Sequence, residues 1–247
     1  IILPPLSPTL QQDMLAEIMQ AAAQVFADAG AAIVGGHTTI GSELTLGFTV
    51  TGLVQTPLTK GGARPGDVLI LTKALGSGTI LAAEMALARL PGLILGESVA
   101  ACHAAMRHPI GPAAAILAPV AHAMTDVTGF GLAGHLLEML EASGTAAELR
   151  LDALPLLPGA EALAAAGFAS SIAPQNRAMT DWKVVDHSGS GLRRVGPDSP
   201  RRALLDDPQT GGPLLAAVPA ERAAASSTST LLSRVSSAAG TTWLPAE

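Results

Sequence analysis

Met124-Thr125-Asp126-Val127-Thr128-Gly129-Phe130-Gly131 decides the reading of this chain. An apolar stretch runs into a glycine-rich turn. The turn opens a helix with Leu132, Leu136, Leu137 and Leu140 on its apolar side. Glycine at such a turn lets the backbone approach a neighbour or a ligand closely.

Working outward, Val68 to Thr72 reads as a compact apolar strand. Lys73 to Gly78 is a glycine-containing turn and Thr79 to Leu90 a helix, so strand, turn and helix resemble half of a βαβ unit. A helix over Ser98 to Met106 ends before Pro109 and Pro112, and Ala113 to Ala123 is helical or irregular. On the other side, Ala147 to Leu151 alternates as a strand, and Leu154 to Phe168 holds a short helix. Residues 186–200 are loop-like, Leu214 to Val218 is a strand, and Ala220 opens a last helix. Ser226 to Ser237 reads as a weak continuation of that helix, because Ser and Thr favour it poorly.

The N-terminal part predicts a helix over Thr9 to Ala29, with Thr9 and Gln12 at capping-box spacing and Gly30 as its stop. A short buried strand is expected over Ala31 to Val34. A long strand is expected over Leu44 to Val54, where Leu44, Leu46, Phe48 and Val50 alternate with Thr45, Gly47, Thr49 and Thr51. The turn-rich Lys60 to Asp67 is the expected boundary between domains 1–64 and 65–247. Strands separated by helices indicate α+β or α/β layers.

With 49% hydrophobic and 14% charged residues, the chain can bury a large core, which excludes global disorder. Fourteen Lys+Arg against 20 Asp+Glu leave no broad basic field, so nucleic acid is a poor partner. Apolar helix candidates are interrupted before they could span a bilayer, and no membrane association is expected. Cys102 is the single cysteine, which excludes an intrachain disulfide and fits a cytoplasmic location. The opening Ile1-Ile2-Leu3-Pro4-Pro5 has no charged n-region and reads as the middle of a longer polypeptide.

Asp126 is the leading candidate site residue. Its carboxylate can bind Mg²⁺ while the turn's amides face phosphate oxygens, or it can cap the turn. Gly35-Gly36-His37-Thr38-Thr39 offers amides and hydroxyls to a phosphate, and two adjacent glycines are also ordinary turn material. The same alternatives hold for Lys73, Ser77 and Thr79 around Gly76 and Gly78. Asp206-Asp207-Pro208-Gln209-Thr210-Gly211-Gly212 is expected to be a surface turn. Cys102 reads as a buried structural thiol, and His135 as a core residue or one that backs a ligand, rather than a metal ligand itself.

The run Thr125 to Met139 resembles the signature of the selenide, water dikinase (selenophosphate synthetase) family. Pro65 to Lys73, Asp152 to Ala160 and Asp207 to Leu215 resemble further family motifs in the family's order. The resemblance implies a two-domain, aminoimidazole ribonucleotide synthetase-like α+β fold with α/β-type layers and a truncated N-terminal domain. It also implies formation of selenophosphate from selenide, ATP and water, with AMP and phosphate released. Asp126 would then be a Mg²⁺ ligand, and Gly35, Gly36, His37 and Thr38 would contact the nucleotide phosphates. A homodimer is implied as well. Val34 to Leu44 is similar to the form fused behind an NAD(P)/FAD-dependent oxidoreductase. The family's reactive Cys or selenocysteine would lie upstream, Cys102 does not match it, and no catalytic residue is assigned here. The chain by itself is expected to be inactive. The competing readings are another ATP-dependent member of the superfamily, acting on a purine precursor or thiamine phosphate, and a non-catalytic dimerisation module.

Overall fold

The computed structural model describes residues 1–180, 199–223 and 230–237. They divide into two compact units, Ile1–Thr56 and Pro57–Glu247.

In the first unit a short strand β1 (Ile2–Leu3) runs parallel to β2 (Thr39–Ile40). Thr45 exchanges two backbone hydrogen bonds with Ile2, at 2.9 and 3.0 Å. Helix α1 (Pro8–Asp28) starts one residue earlier than its sequence signal. Ser7, not Thr9, caps it, and Pro8 takes the first turn, where no amide partner is needed. The chain leaves α1 through Gly30, in the left-handed region at φ 69°.

Two expected strands do not form in this unit. Ala31 to Val34 is exposed and irregular, with Val34 97% accessible. Residues 46–54 form no ladder among the described residues, and Leu46, Phe48, Val50, Leu53 and Val54 are all exposed. Alternation prepares a chain for a sheet, but a strand exists only where another strand takes its amides and carbonyls. The described part of the unit supplies no such partner, and Phe26 meets Phe48 edge-on at 5.4 Å instead.

The second unit is built on an antiparallel sheet. In chain order its elements are β3 (Asp67–Leu71), α2 (Ser77–Met85), α3 (Leu95–Arg107), α4 (Gly111–Leu117), β4 (Ala123–Asp126), α5 (Gly131–Ser143) and β5 (Thr145–Leu149). A 3₁₀ turn (Leu151–Ala153) and α6 (Ala160–Ala165), α7 (Ala173–Thr180), α8 (Pro200–Leu205), β6 (Leu214–Pro219), α9 (Ala220–Ala223) and β7 (Thr230–Ser237) follow. The sheet order is β4-β6-β3-β7-β5.

Every residue of β3 is buried, as suits a central strand covered on both faces. Leu69 and Leu71, with Leu215 and Ala217 of β6, pack on Leu132, Leu136 and Met139 of α5. On the opposite face, Ile70, Ala216 and Val218 pack on Leu117 of α4. A separate cluster joins Ile80 and Ala83 (α2), Cys102 (α3), Leu163 (α6) and Leu204 (α8). The expected helical tail over Ser226 to Ser237 is corrected: Thr230–Ser237 is strand β7, between β3 and β5. Poor helix formers there meet an open edge of β3, and the ladder outweighs local propensity.

Lys60 to Asp67, the turn-rich segment, is tied into the second unit. Met124 N donates to Thr59 O at 3.1 Å, and the Gly62 and Ala63 amides both donate to Ser143 Oγ at 3.0 Å. Of the loop read over 186–200, residues 186–198 lie outside the described residues, and Pro200 already opens α8. Among the described residues no helix is long and apolar enough to cross a membrane.

Candidate functional site

β3 and β4 both run antiparallel to β6, so their C-terminal ends fall at the same edge of the sheet. Asp126 closes β4 opposite Leu214, the first residue of β6. Thr72, just past β3, donates its amide to Leu214 O at 3.1 Å and accepts the Leu214 amide on Oγ1 at 2.9 Å. The ends of three strands are thereby locked together.

Two glycine turns interlock beyond them. The Val127 amide donates to Pro213 O at 2.8 Å, and the Gln209 amide donates to Thr128 O at 2.9 Å. Gly131 holds φ 68°, and a Cβ there would lie 2.6 Å from the Leu205 carbonyl oxygen. A Cβ on Gly212 would collide with the Val127 carbonyl. Close backbone approach, not flexibility, is therefore what these two glycines supply. Asn176, buried on α7, clamps both turns by donating to Gly129 O at 2.8 Å and Asp206 O at 3.0 Å.

Against this backing Asp126 is exposed, at the end of a strand whose other residues are buried or half-buried. His135, one turn into α5, is buried and places Nε2 3.3 Å from Thr128 Oγ1, with the Phe130 ring 5.4 Å away. Its Nδ1 lies 3.5 Å from Glu138 Oε2, too far for a good hydrogen bond, and among the described residues it has no hydrogen-bond partner. Gly35, Gly36, His37 and Thr38 are exposed in the first unit, where the N-terminal amine donates to His37 O at 2.9 Å. Open space lies where Cβ atoms on Gly35 and Gly36 would be. Among the described residues no three His, Cys, Asp or Glu side chains could hold a metal together.

The expected surface turn at Asp206 and Asp207 is corrected, because both residues are 1% exposed. Thr79 Oγ1 donates to Asp207 Oδ1 at 2.9 Å, and Gln209 Nε2 donates to Asp207 Oδ2 at 3.0 Å. Gln209 Oε1 in turn accepts from the Gly76 and Ser77 amides, at 3.0 and 3.3 Å. Gln209 thus caps α2, whose own N-cap residue Gly76 has no side chain to do so. Asp206 forms a buried ion pair with Arg202 and accepts from Thr180 Oγ1 at 2.7 Å. Local sequence does not show the Thr79 partner of Asp207, which lies 128 positions away.

Burial pushes the Asp207 carboxyl up to about 6, against the pull of its bonds from Thr79, Gln209 and the Gly78 amide. A carboxyl raised from 3.8 to about 6 holds its proton more tightly in the folded chain than in the unfolded one. Its contribution to stability is then fully present below the ordinary value and is lost as pH rises to about 6. Ionising it inside the fold costs about 3 kcal/mol. Asp207→Asn, measured by urea unfolding at several pH values, is expected to gain about that much on the parent chain between pH 4 and pH 7. A difference that stays constant across the window would contradict the burial.

Cys102 is buried, and its thiol is pushed up to about 11 by burial and then by Asp207 and Glu84. Its Sγ contacts Met106 Sδ at 3.7 Å, so it packs as an apolar group. At the opposite sheet edge, Asp67 is buried with both carboxylate oxygens 3.0 Å from His122 Nδ1. Sequence reading missed this pair. Asp67 ended a turn-rich segment and His122 lay in a stretch read as helical or irregular, and nothing local joins them.

The AIR synthase related protein C-terminal domain matches residues 64–229, and the corresponding N-terminal domain matches residues 1–54. The chain belongs to the AIR synthase related protein family. Its mixed α/β architecture fits both family domains. The chain is 39% identical over 209 residues to a selenide, water dikinase of Geobacter metallireducens, covering 84% of this chain and 57% of that protein. It is 38% identical over 213 residues to the selenide, water dikinase of Burkholderia pseudomallei, covering 84% and 56%. It thus spans little more than half the length of these relatives.

Two solved structures share the fold. The HypE–HypF complex aligns with TM-score 0.62 at 14% identity, over 95% of this chain and 68% of that one. Thiamine monophosphate kinase from Aquifex aeolicus aligns with TM-score 0.59 at 16% identity, over 94% and 67%.

Proposed function

We propose that this AIR synthase related chain is part of an ATP-dependent enzyme that makes selenophosphate from selenide, ATP and water, releasing AMP and phosphate. The observation that carries this reading is the identity of 39% to a selenide, water dikinase across 84% of the chain. Four ordered motifs, from Pro65 to Leu215, support the same reading.

In this reading Asp126 contributes one Mg²⁺ ligand, and Gly35, Gly36, His37 and Thr38 contact nucleotide phosphates. An exposed carboxylate at a strand end backed by two locked turns suits a metal ligand, because the backbone behind it cannot drift. Among the described residues no three His, Cys, Asp or Glu side chains could hold the ion together. Mg²⁺ prefers six oxygen ligands, so substrate phosphates, water and residues elsewhere in the enzyme would complete its shell. The ion's contribution, when bound, is neutralisation of charge on the transferring phosphoryl group. The exposed apolar residues Leu46, Phe48 and Val50 support a homodimer in which a second copy covers them.

The reaction is tested with the full-length protein that contains this chain, by ³¹P NMR with ATP and Mg²⁺. Selenide-dependent formation of selenophosphate with equal amounts of AMP and phosphate is expected. Turnover that needs thiamine phosphate or a purine precursor instead would move the chain to another member of the family. No ATP consumption with any acceptor would leave a non-catalytic module.

A further inference from the structure

Lys73 stands at the same sheet edge as Asp126. Thr72 and Asp126 both neighbour Leu214, one on each side of β6, which puts their backbones about 10 Å apart at two strand spacings. Between them runs the Gly211–Gly212 turn, so Lys73 and Asp126 flank one short stretch of backbone.

The Lys73 ammonium donates to Gly211 O at 2.8 Å and to Ala105 O at 3.1 Å. An ammonium has three N–H bonds. Among the described residues nothing takes the third, and no carboxylate pairs with this cation. Burial pulls the group below the usual lysine range. Two neutral carbonyls fix the position of the charge without neutralising it. A partly desolvated cation held in one place, with a donor to spare, is complementary to an anion.

We propose that Lys73 is an anion subsite that takes a phosphate group, carried by a nucleotide or free. This rests on the proposed reaction for its place in catalysis, but not for its chemistry. The competing role is a plain tether that pins the Gly211 turn against α3. Lys73→Gln separates the two, since its amide still offers two N–H donors to the carbonyls but carries no charge. Lys73→Arg keeps the charge.

The test uses the chain without Mg²⁺, which takes Asp126 out of the measurement. Acetylation of Lys73 by acetic anhydride, read by peptide mass spectrometry, is followed against Lys60 as the internal reference. Pyrophosphate, ATP, inorganic phosphate and AMP are each titrated. Slowing of Lys73 acetylation by about threefold or more, saturable in pyrophosphate or ATP, is expected for a nucleotide tail. The same slowing by inorganic phosphate alone is expected for free phosphate. Calorimetric pyrophosphate affinity should fall about tenfold in Lys73→Gln and hold in Lys73→Arg. Unchanged acetylation with all four probes, or Lys73→Gln binding as the parent does, overturns the subsite. If Lys73 is protected while the full-length protein makes no selenophosphate, the subsite stands and the proposed reaction falls.

Discussion

Asp126→Asn in the full-length protein is expected to lower Mg²⁺-dependent ATP consumption by about 100-fold or more, with the fold intact. The backbone of Asp126 is held by its ladder to Leu214, and its side chain is exposed, so the packing around it does not depend on the charge. Asn keeps the shape and one acceptor oxygen but loses the negative charge that attracts a hard divalent ion. The Mg²⁺ concentration for half-maximal rate should rise along with the loss. Phosphate and AMP release measure the first effect, a Mg²⁺ titration the second, and urea unfolding confirms an unchanged midpoint. Near-normal turnover with an unchanged Mg²⁺ requirement would remove Asp126 from the metal site.

Arg202→Met is expected to cost about 3–5 kcal/mol of unfolding free energy. Arg202 and Asp206 are each 1% exposed, and they face one another across one turn at the end of α8. Burial raises the Asp206 carboxyl from its ordinary value, and the Arg202 charge is the main influence pulling it back down. Removing the guanidinium leaves a carboxylate in a dry interior, which must then take up a proton or admit water. Adding Asp206→Asn to Arg202→Met should recover part of the loss, because a neutral amide can still meet Thr180 and needs no counter-charge. Urea unfolding of the single and double variants measures both. A loss below about 1 kcal/mol in Arg202→Met is the size expected of an exposed pair and would contradict the burial.

The elements legible in the sequence were those whose signal is local. β3 shows as the apolar run from Val68, α5 as a leucine stripe behind a glycine turn, and β6 as an apolar run after two glycines. Asp126 was legible as a candidate for the same reason: a carboxylate between an apolar run and a glycine turn stands at an element end wherever the fold places it. The motif resemblance reached further than periodicity did, because it joined segments that share no local signal.

By itself the sequence determined the apolar strands of the second unit, the helix behind the Asp126 turn and the glycines at which backbones meet. Each follows from side-chain periodicity or from the steric freedom of one residue. Only the tertiary structure decided that Asp206 and Asp207 are buried, that Gln209 caps a helix begun more than a hundred residues earlier, and that Thr230–Ser237 is a strand. It also decided that residues 46–54, patterned as a strand, have no ladder among the described residues. Burial and strand pairing are properties of a residue's partners, and those partners come from distant parts of the chain that local pattern does not name.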